Sequence, residues 1–392
     1  MPRRVALVAG GTSKKWGAYP GTLRDLVSEA GKASFDSNLN ITPADMQGFV
    51  FCSVFPERSA FQSHTAPWAA ELLGVTPTKL FCRVENMCGS GTVGIRTAYA
   101  AIAAGLADII MVVGAEKMFT PNPPETALNM LTGVDREWEG SVGITAPVQF
   151  ALAAQAHMDK YGTTEEHLAM VSAKNHRNAS RNPYAQFPKP CSVEEVLNSR
   201  PVTTPLKIFD CSSVSDGAAA VVLASEEAAK RLTDEPVYIL GTSQAASGFN
   251  YANIPADWAD WNVLSQAARD AYAMAGIKPA DVNVAEIHDC FSISEIIEYE
   301  ALGFCPRGEG GGFIAGGESD YGGQVVVNPR GGLIGCGHPL GATGVAQAVE
   351  IFRQLRHEAG ERQVPNAAIG LNHNLSGIAE HHLVLYGRKE VI

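Results

Sequence analysis

The chain alternates between short apolar runs and longer segments rich in alanine. The apolar runs contain many valines and isoleucines and are bounded by turn residues, which is typical of buried strands; they are RVALVAGG, MQGFVFCS, ADIIMVVGAE, AAAVVLAS, VYILGTS, NVAEIHD, AAIGLNHN and HHLVLYG. Three segments between them predict helices: GTVGIRTAYAAIAAGLA, VLSQAARDAYAMAGI and GATGVAQAVEIFRQLRHEAG. This alternation of strands with helices indicates an α/β fold with largely parallel sheets.

One long segment, 119–205, interrupts the alternation. It contains the proline-rich stretches PNPPE, NPYAQFPKP and PVTTP around the helical stretch PVQFALAAQAHMDKYG. We interpret it as an insertion that rests on the core and carries substrate specificity. A glycine-rich turn followed by an alanine-rich helix occurs both near residue 88 and near residue 338, which predicts two similar α/β halves. We therefore divide the chain into an N-terminal half, 1–235, which includes the insertion, and a C-terminal half, 236–392.

Composition narrows the class of protein. Hydrophobic residues make up 46% of the chain and charged residues 18%, as in a globular protein with a large core. The net charge of −11 argues against a nucleic-acid partner, and no apolar stretch is long enough to predict a membrane span. The eight cysteines form no CxxC pair, so we expect no metal site in this chain. With no signal peptide at the start, buried free thiols indicate a cytoplasmic protein.

The first candidate for chemistry is Cys88, in VENMCGSGTVGIRTAYAAIAAG. A strand, LFCRVE, reaches a Gly-Ser-Gly turn, and a helix follows. A thiol at this junction meets the positive end of the helix dipole and free backbone N–H groups, which favour the nucleophilic thiolate and can also receive an oxyanion. The alternative is a small buried cysteine beside a turn.

Three further candidates lie in the second half. His338, in GGLIGCGHPLGATG, is surrounded by glycines that permit close approach of other segments, and it could take a proton from a thiol. His288 and Cys290, in HDCF, follow the strand NVAEI, where α/β folds place ligands; the imidazole could bind a carbonyl oxygen and the thiol could move a proton. The alternatives are a histidine that stabilises a turn, and a His-Asp pair in which Asp289 caps the next helix.

His373 lies in GLNHNLSG, just past another predicted strand. It is equally consistent with an active-site wall and with a polar turn.

Taken together and in this order, ENMCGSG, HDCF, GCGHPLGATG and NHNLSG resemble the segments of the thiolase family over essentially the whole chain. NHRNASRNPYAQF and SDGAAAVVLAS are also similar to thiolase segments. The resemblance implies an α/β thiolase fold, with duplicated βαβαβαββ halves in a five-layer αβαβα core and a central loop domain. It also implies a homodimer at least, or a dimer of dimers.

The resemblance implies a reaction as well: reversible transfer of an acyl group between coenzyme A and the α-carbon of another acyl-CoA. Coenzyme A would be a substrate, with no bound cofactor. By the family's pattern Cys88 is the acylated nucleophile, His338 the base that deprotonates it, and His288 the histidine of the oxyanion site. From a similar loop position in thiolases we expect Ser247 and Gly248 to contact substrate or coenzyme A, and we name His373 and Gly377 as further candidates for such contacts.

Two motifs place the chain within the family. Common bacterial biosynthetic thiolases have NEAF and a C-terminal Cys-x-Gly, whereas this chain has HDCF and NHNLSG without cysteine. That is similar to the archaeal and sterol-carrier-protein-type branch, in which Cys290 would be the second acid/base. Archaeal-type members often work with a small accessory protein that has a zinc finger and an OB-fold, so any zinc would belong to that partner.

The substrate is not readable from these motifs. Acetoacetyl-CoA is the default expectation, and a bulkier branched or aromatic 3-oxoacyl-CoA, such as 2-benzoylsuccinyl-CoA, is the alternative. Three other functions stay open: a ketosynthase-like condensing enzyme, a retro-aldolase of thiolase ancestry, and a catalytically silent subunit that binds acyl-CoA.

Overall fold

The computed structural model describes residues 3–120, 122–248 and 258–391. Its strands are β1 Val5–Thr12, β2 Gly48–Cys52, β3 Leu80–Val84, β4 Ile109–Glu116, β5 Pro201–Thr203, β6 Leu206–Lys207, β7 Gly217–Ser225, β8 Val237–Ala246, β9 Val284–Glu286, β10 Val326–Val327, β11 Ile369–Ser376 and β12 Glu380–Gly387. The apolar runs and LFCRVE each form one of these strands, while β5, β6 and β10 were not predicted.

The α-helices are α1 Leu23–Asp36, α2 Pro56–Ser59, α3 Thr65–Leu72, α4 Ser90–Ala103, α5 Pro123–Met130, α6 Ala146–Tyr161, α7 Glu165–Ala179, α8 Val193–Leu197, α9 Glu226–Leu232, α10 Asn262–Ala275, α11 Ser292–Ala301, α12 Gly310–Ala315, α13 Gly332–Cys336 and α14 Leu340–Leu355. The three predicted alanine-rich helices are α4, α10 and α14. Short 3₁₀ turns occupy Pro43–Asp45, Met87–Gly89, Leu131–Gly133, Gly140–Val142, Ile208–Asp210, Pro279–Asp281, Gly360–Arg362 and Lys389–Val391. Among the described residues, no helix combines the length and apolar character needed to cross a bilayer.

The internal repeat is visible in the order of the strands. The large sheet runs β10-β9-β11-β12-β8-β1-β7-β4-β2-β3. Numbered within its own half, each group of five has the same order, third-second-fourth-fifth-first. In both groups the second strand pairs in parallel with the third and fourth, and the fifth pairs antiparallel with the fourth and first. The prediction of largely parallel sheets was therefore wrong, because each half closes with two antiparallel strands.

Among the described strands, the two groups are joined only by the short pairing of β1 with β8, at Ala6↔Tyr238 and Leu7↔Val237. The proposed division at 235/236 falls in the link before β8, between α9 and that strand. The repeated strand order supports two domains, although the division itself stays a prediction.

Two helices lie between the halves of the sheet. α4 packs on β2 and β4, and α14 packs on β4, β7, β9 and β11, while α1 and α3 cover one outer face and α10 the other. Every residue of α14 except Arg353 is buried, as expected of a helix surrounded by protein. The layers therefore alternate as helix, sheet, helix, sheet, helix, which confirms the predicted thiolase fold.

Two glycines let α4 and α14 approach closely. A Cβ on Gly91 would lie 2.7 Å from the backbone nitrogen of Val345, and one on Gly344 would lie 2.5 Å from that of Thr92. A larger residue at either position would push the helices apart. This contact explains why glycine stands in both the CGSG and GATG motifs.

Candidate active site

Cys88 lies in the tight turn between β3 and α4, as the sequence predicts. The 3₁₀ turn Met87–Gly89 follows Asn86, and α4 begins directly after it. Ser376, at the end of β11, fixes this turn: its hydroxyl donates to the Asn86 carbonyl at 2.6 Å, and Gly89 N–H donates to Ser376 Oγ at 3.1 Å. The nucleophile loop from the first half is thus attached to the last hairpin of the second half.

His338 lies between α13 and α14 and is held in one tautomer. Its Nδ1 lies 2.7 Å from Thr343 Oγ1, and the Thr343 hydroxyl donates to the Pro339 carbonyl at 3.0 Å. Because that hydroxyl proton is engaged, the threonine oxygen accepts the Nδ1 proton of His338. The other nitrogen, Nε2, therefore carries a lone pair; it is buried and has no hydrogen-bond partner among the described residues. This is the form that a general base needs.

His288 follows β9 and is fully buried. Its ring stands perpendicular to that of His338, with centroids 4.9 Å apart and an angle of 85°. Cys88 Sγ and one ring nitrogen of each histidine lie within 4.8 Å of one another. The structure therefore brings together three of the four residues that the motifs nominate for catalysis.

Asp289 joins the HDCF loop to the loop of His338. Its carboxylate accepts from the backbone N–H groups of Leu333, at 2.6 Å, and Ile334, at 3.3 Å, in the first turn of α13. It also accepts from Asn175 Nδ2 at 2.7 Å. Asp289 is therefore a helix cap, but for α13, which leads to His338, and not for the helix that follows it in sequence.

Burial sets the proton states of the site. Removal from water raises the pKa of the Cys88 thiol to about 12, despite a lowering contribution from its own backbone N–H. Burial also lowers the pKa of His338 to about 3 and holds that of His288 well below its usual value. The resting site thus holds a neutral thiol and neutral imidazoles. The expected bias toward thiolate at the helix start is outweighed by burial.

The site opens into a cavity of about 1120 Å³. Cys88, Cys290 and His338 all line it. Burial raises the pKa of Cys290 well above its ordinary value, so its thiol carries a proton. Phe150 and Phe291 stack beside it, with ring centroids 4.5 Å apart. The remaining walls are mostly apolar and come from α5, the start of α6 and the β11–β12 hairpin.

The four expected contacts to substrate or coenzyme A fall into two groups. Gly248 and Gly377 line the cavity. Ser247 does not; its hydroxyl and its N–H both donate to the Ala379 carbonyl, at 3.3 and 2.8 Å. His373 does not line the cavity either.

The expectation for His373 requires correction. Along β11 successive side chains point to opposite faces, so His373 faces away from Asn372 and Asn374. It is fully buried, with Nε2 3.2 Å from His381 Nδ1 and Nδ1 3.2 Å from a carboxylate oxygen of Glu298. Its position supports a packing role and offers no route to the substrate.

Several residues that fix the site were missed in the sequence. Thr343 orients His338, Asn374 contacts His288, and Ser376 holds the nucleophile turn. Gln347 lies one helical turn beyond Thr343 and donates to two backbone carbonyls near the site. Asn374 and Ser376 belong to the NHNLSG motif, and the i, i+4 spacing of Thr343 and Gln347 would have placed both on one face of α14.

The spacing of Cys88, His288 and His338 would also suit a metal ion. A metal requires a thiolate and a bare imidazole nitrogen from each histidine. Burial keeps this thiol protonated in the resting protein. A neutral thiol and two imidazoles at this spacing are also a set that can pass protons.

The chain matches known family models along most of its length. Residues 12–227 match the family model described as "Thiolase, N-terminal domain", and residues 248–387 match "Thiolase C-terminal domain-like". The chain is similar to the acetyl-CoA acetyltransferase of Methanothermobacter thermautotrophicus, with 42% identity across 96% of this chain and 97% of that one. It is also similar to human sterol carrier protein 2, with 38% identity across 95% of this chain and 70% of that protein.

Solved structures show the same fold. A chain of the structure titled "Ltp2-ChsH2(DUF35) aldolase" superposes with a TM-score of 0.85 at 25% identity, covering 98% of both chains. Human mitochondrial 3-ketoacyl-CoA thiolase superposes with a TM-score of 0.76 at 19% identity, covering 99% of both chains.

The chain belongs to the thiolase family, in the branch that holds archaeal acetyl-CoA acetyltransferases and sterol-carrier-protein-type thiolases. It is an acyltransferase with coenzyme-A-dependent thiolase activity.

The proton state of Cys88 predicts how it reacts with a simple alkylating agent. Because burial raises its pKa to about 12, the thiolate fraction should rise about tenfold per pH unit between about pH 7 and pH 10. We expect the rate of iodoacetamide labelling of the Cys88 peptide, followed by mass spectrometry, to rise in step. Cys88→Ala identifies the peptide. A rate that levels off below about pH 8 would contradict a neutral resting thiol.

Proposed function

We propose that the protein cleaves a 3-oxoacyl-CoA with coenzyme A into two acyl-CoAs, or runs the reverse condensation, through an acyl group on Cys88. The observation that carries this proposal is the mutual approach, within 4.8 Å, of Cys88 Sγ and one ring nitrogen each of His288 and His338. Cys290 opens into the same cavity. One site thus contains a nucleophile (Cys88), a base (His338), an oxyanion donor (His288) and an acid (Cys290).

The first half of the reaction forms the acyl-enzyme. His338 Nε2 takes the proton of the Cys88 thiol, while His338 keeps its Nδ1 proton and donates it to Thr343 Oγ1. The thiolate attacks the ketone carbon of the substrate. Backbone N–H groups at the start of α4 stabilise the oxyanion, and a donor of this kind is worth about 3–4 kcal/mol in other enzymes. Because the Cys88 thiol and the His338 imidazole are both neutral at rest, the thiolate and imidazolium form only after the substrate has bound.

Breaking the carbon–carbon bond leaves an enolate of the departing acyl-CoA. His288 donates to the enolate oxygen, and Cys290 protonates the carbon. Coenzyme A then attacks the acyl-Cys88 thioester; its thiol proton returns to Cys290, and His338 returns its proton to Cys88. The first half-reaction replaces a carbon–carbon bond by the thioester on Cys88, and the second exchanges that thioester for one on coenzyme A. Each step has a defined reverse, so the same residues can also run the condensation.

Acetoacetyl-CoA is the substrate we propose first, and the cavity leaves room for a bulkier acyl group. Its volume of about 1120 Å³ and its apolar lining would accept a branched or aromatic chain. Gln149, on the first turns of α6, lines the cavity and is only 3% exposed, yet its Nε2 has no hydrogen-bond partner within the described part of the chain. An acyl chain with an oxygen near this amide would satisfy it, since an unpaired buried donor costs about 1–3 kcal/mol.

The rival functions differ in one measurable reaction. A ketosynthase-like enzyme or a silent acyl-CoA-binding subunit would not cleave acetoacetyl-CoA with free coenzyme A. One structural neighbour is titled an aldolase, so a retro-aldolase is also a rival function. His288 and His338 are both present and adjacent here, which favours thiolysis.

We also propose a homodimer. β3 forms one end of the large sheet and pairs, among the described strands, with β2 alone. Phe81 in this edge strand is 44% exposed. An exposed edge with an apolar side chain is open to pairing with a second copy. Light scattering of the purified chain measures the number of subunits.

We also propose that the protein binds an accessory subunit. This proposal is supported by the neighbour whose title joins an aldolase chain to a DUF35 protein. The resemblance of this chain to archaeal-type thiolases points to the same kind of small zinc-binding partner.

Replacing the nucleophile tests the proposal directly. We expect the purified protein to cleave acetoacetyl-CoA only when coenzyme A is present, and Cys88→Ala to lower kcat by about 10⁴-fold or more. Cys191→Ala, at a half-buried cysteine outside the cavity, is the matched control and should cleave at close to the wild-type rate. Cleavage that survives in Cys88→Ala would refute the covalent mechanism.

Cys290→Ala should separate the two halves of the reaction. Without its proton donor the enolate is protonated slowly, so we expect kcat for cleavage to fall by about 10²–10⁴-fold, the range of general acid catalysis. Acetylation of Cys88 by acetyl-CoA, followed by intact mass, should fall far less, because the departing coenzyme A thiolate is much less basic than the enolate carbon and depends less on a proton from Cys290. Normal turnover in this variant would remove Cys290 from the mechanism.

A further inference from the structure

A chain of buried amides runs from α14 to His288, and it begins at Gln347. This side chain is fully buried in α14. Its Nε2 lies 3.2 Å from the Ile287 carbonyl and 3.3 Å from the His373 carbonyl. Backbone carbonyls only accept hydrogen bonds, so this end of the amide must be the nitrogen. Gln347 Oε1 consequently points the other way and can only accept.

Asn374 is fixed by this acceptor. Its Nδ2 lies 2.7 Å from Gln347 Oε1 and donates to it. On the other side, Asn374 Oδ1 accepts from the Thr92 hydroxyl at 2.8 Å. Asn372 Nδ2 in turn donates to Thr92 Oγ1 at 3.1 Å, which leaves the hydroxyl proton free for Asn374. The orientation of the Asn374 amide is therefore determined from both ends.

The second hydrogen of Asn374 Nδ2 reaches His288. Nδ2 and His288 Nδ1 are 3.0 Å apart. Since an amide nitrogen only donates, Nδ1 of His288 must be the unprotonated nitrogen. The proton of the neutral ring then lies on Nε2, which is buried without a partner among the described residues.

We propose that Asn374 and Gln347 are positioning residues that fix His288 in its Nε2–H tautomer, so that this N–H donates to the enolate oxygen. The inference rests on the proposed function for the identity of that oxygen. The opposite tautomer would present a lone pair to a negative oxygen and would repel it. Thr343 sets the reverse arrangement at His338, whose Nε2 carries the lone pair. The hydrogen-bond partners thus assign opposite roles to the two adjacent neutral histidines: His288 is a donor and His338 is a base.

Asn374→Asp reverses the polarity of the contact with little change in shape. A carboxylate accepts from Nδ1–H, so His288 should carry its proton on Nδ1 and turn a lone pair toward the enolate site. We expect kcat for acetoacetyl-CoA cleavage to fall about 10²–10³-fold, as when one oxyanion donor is removed. Acetyl transfer from acetyl-CoA to Cys88, which uses His338 and the backbone N–H groups, should fall less than about fivefold.

Asn372→Asp is the matched control. Asn372 lies two residues earlier on the same face of β11 and is also fully buried, but its contacts are Thr92, Gln347 and Tyr386 rather than His288. It introduces the same charge into the same network. A carboxylate at position 372 can accept the Thr92 hydroxyl proton, but Gln347 Oε1 still holds Asn374 Nδ2 in place. If Asn374 acts through the His288 tautomer, Asn372→Asp therefore keeps the wild-type ratio of the two rates. Equal loss of both rates in Asn374→Asp, or the same ratio in both variants, would overturn the proposal.

A spectroscopic measurement separates this inference from the proposed function. In protein labelled with ¹⁵N-histidine, the His288 signals should show a protonated Nε2 in the wild type and a protonated Nδ1 in Asn374→Asp. His288→Gln assigns the signals. A protonated Nδ1 in the wild type would refute the positioning role, whereas a wild type with the expected tautomer but no thiolysis would refute the proposed function alone.

Discussion

The close contact between α4 and α14 is the constraint on which the site depends. α4 begins just after Cys88, and α14 begins just after His338. Gly91 and Gly344 remove the side chains that would hold these helices apart. Because the helices lie between the two halves of the sheet, their contact fixes the position of Cys88 relative to His338. The first half supplies α4 and Cys88, and the second supplies α14, His288, Cys290 and His338, so neither half alone contains the whole candidate site.

Burial between two sheets also determines the chemistry. A charged thiolate is costly there, and the site rests as a neutral thiol beside neutral imidazoles. Acid, base and donor roles are then distinguished by which nitrogen bears a proton. Hydroxyl and amide partners make that assignment, and these partners come from α14 and β11. The helix α14, which contains Gly344, therefore also carries Thr343, which contacts His338, and Gln347, which contacts His288 through Asn374.

The sequence predicted most of the architecture, because the strands are buried on both faces and leave continuous apolar runs. It missed β10, since a strand of two residues is too short to produce a pattern, and the antiparallel closure of each half, since pairing direction depends on distant segments. Cys88, His288 and His338 were found through motifs. The roles of Asn374 and Gln347 depend on contacts between α14, β9 and β11 that no local pattern encodes. We expected His373 to contact the substrate, although the alternation of side chains along β11 puts it on the opposite face of the strand from Asn374.

The central claim is that an acyl group resides on Cys88 during turnover. Incubation of the wild-type protein with acetoacetyl-CoA in the absence of free coenzyme A, followed by acid quenching and peptide mass spectrometry, tests it most directly. The account predicts one acetyl group per subunit on the peptide that contains Cys88, and its release on addition of coenzyme A. An acetyl group on Cys290 or Cys211 instead, or no adduct in protein that still cleaves the substrate, would contradict it.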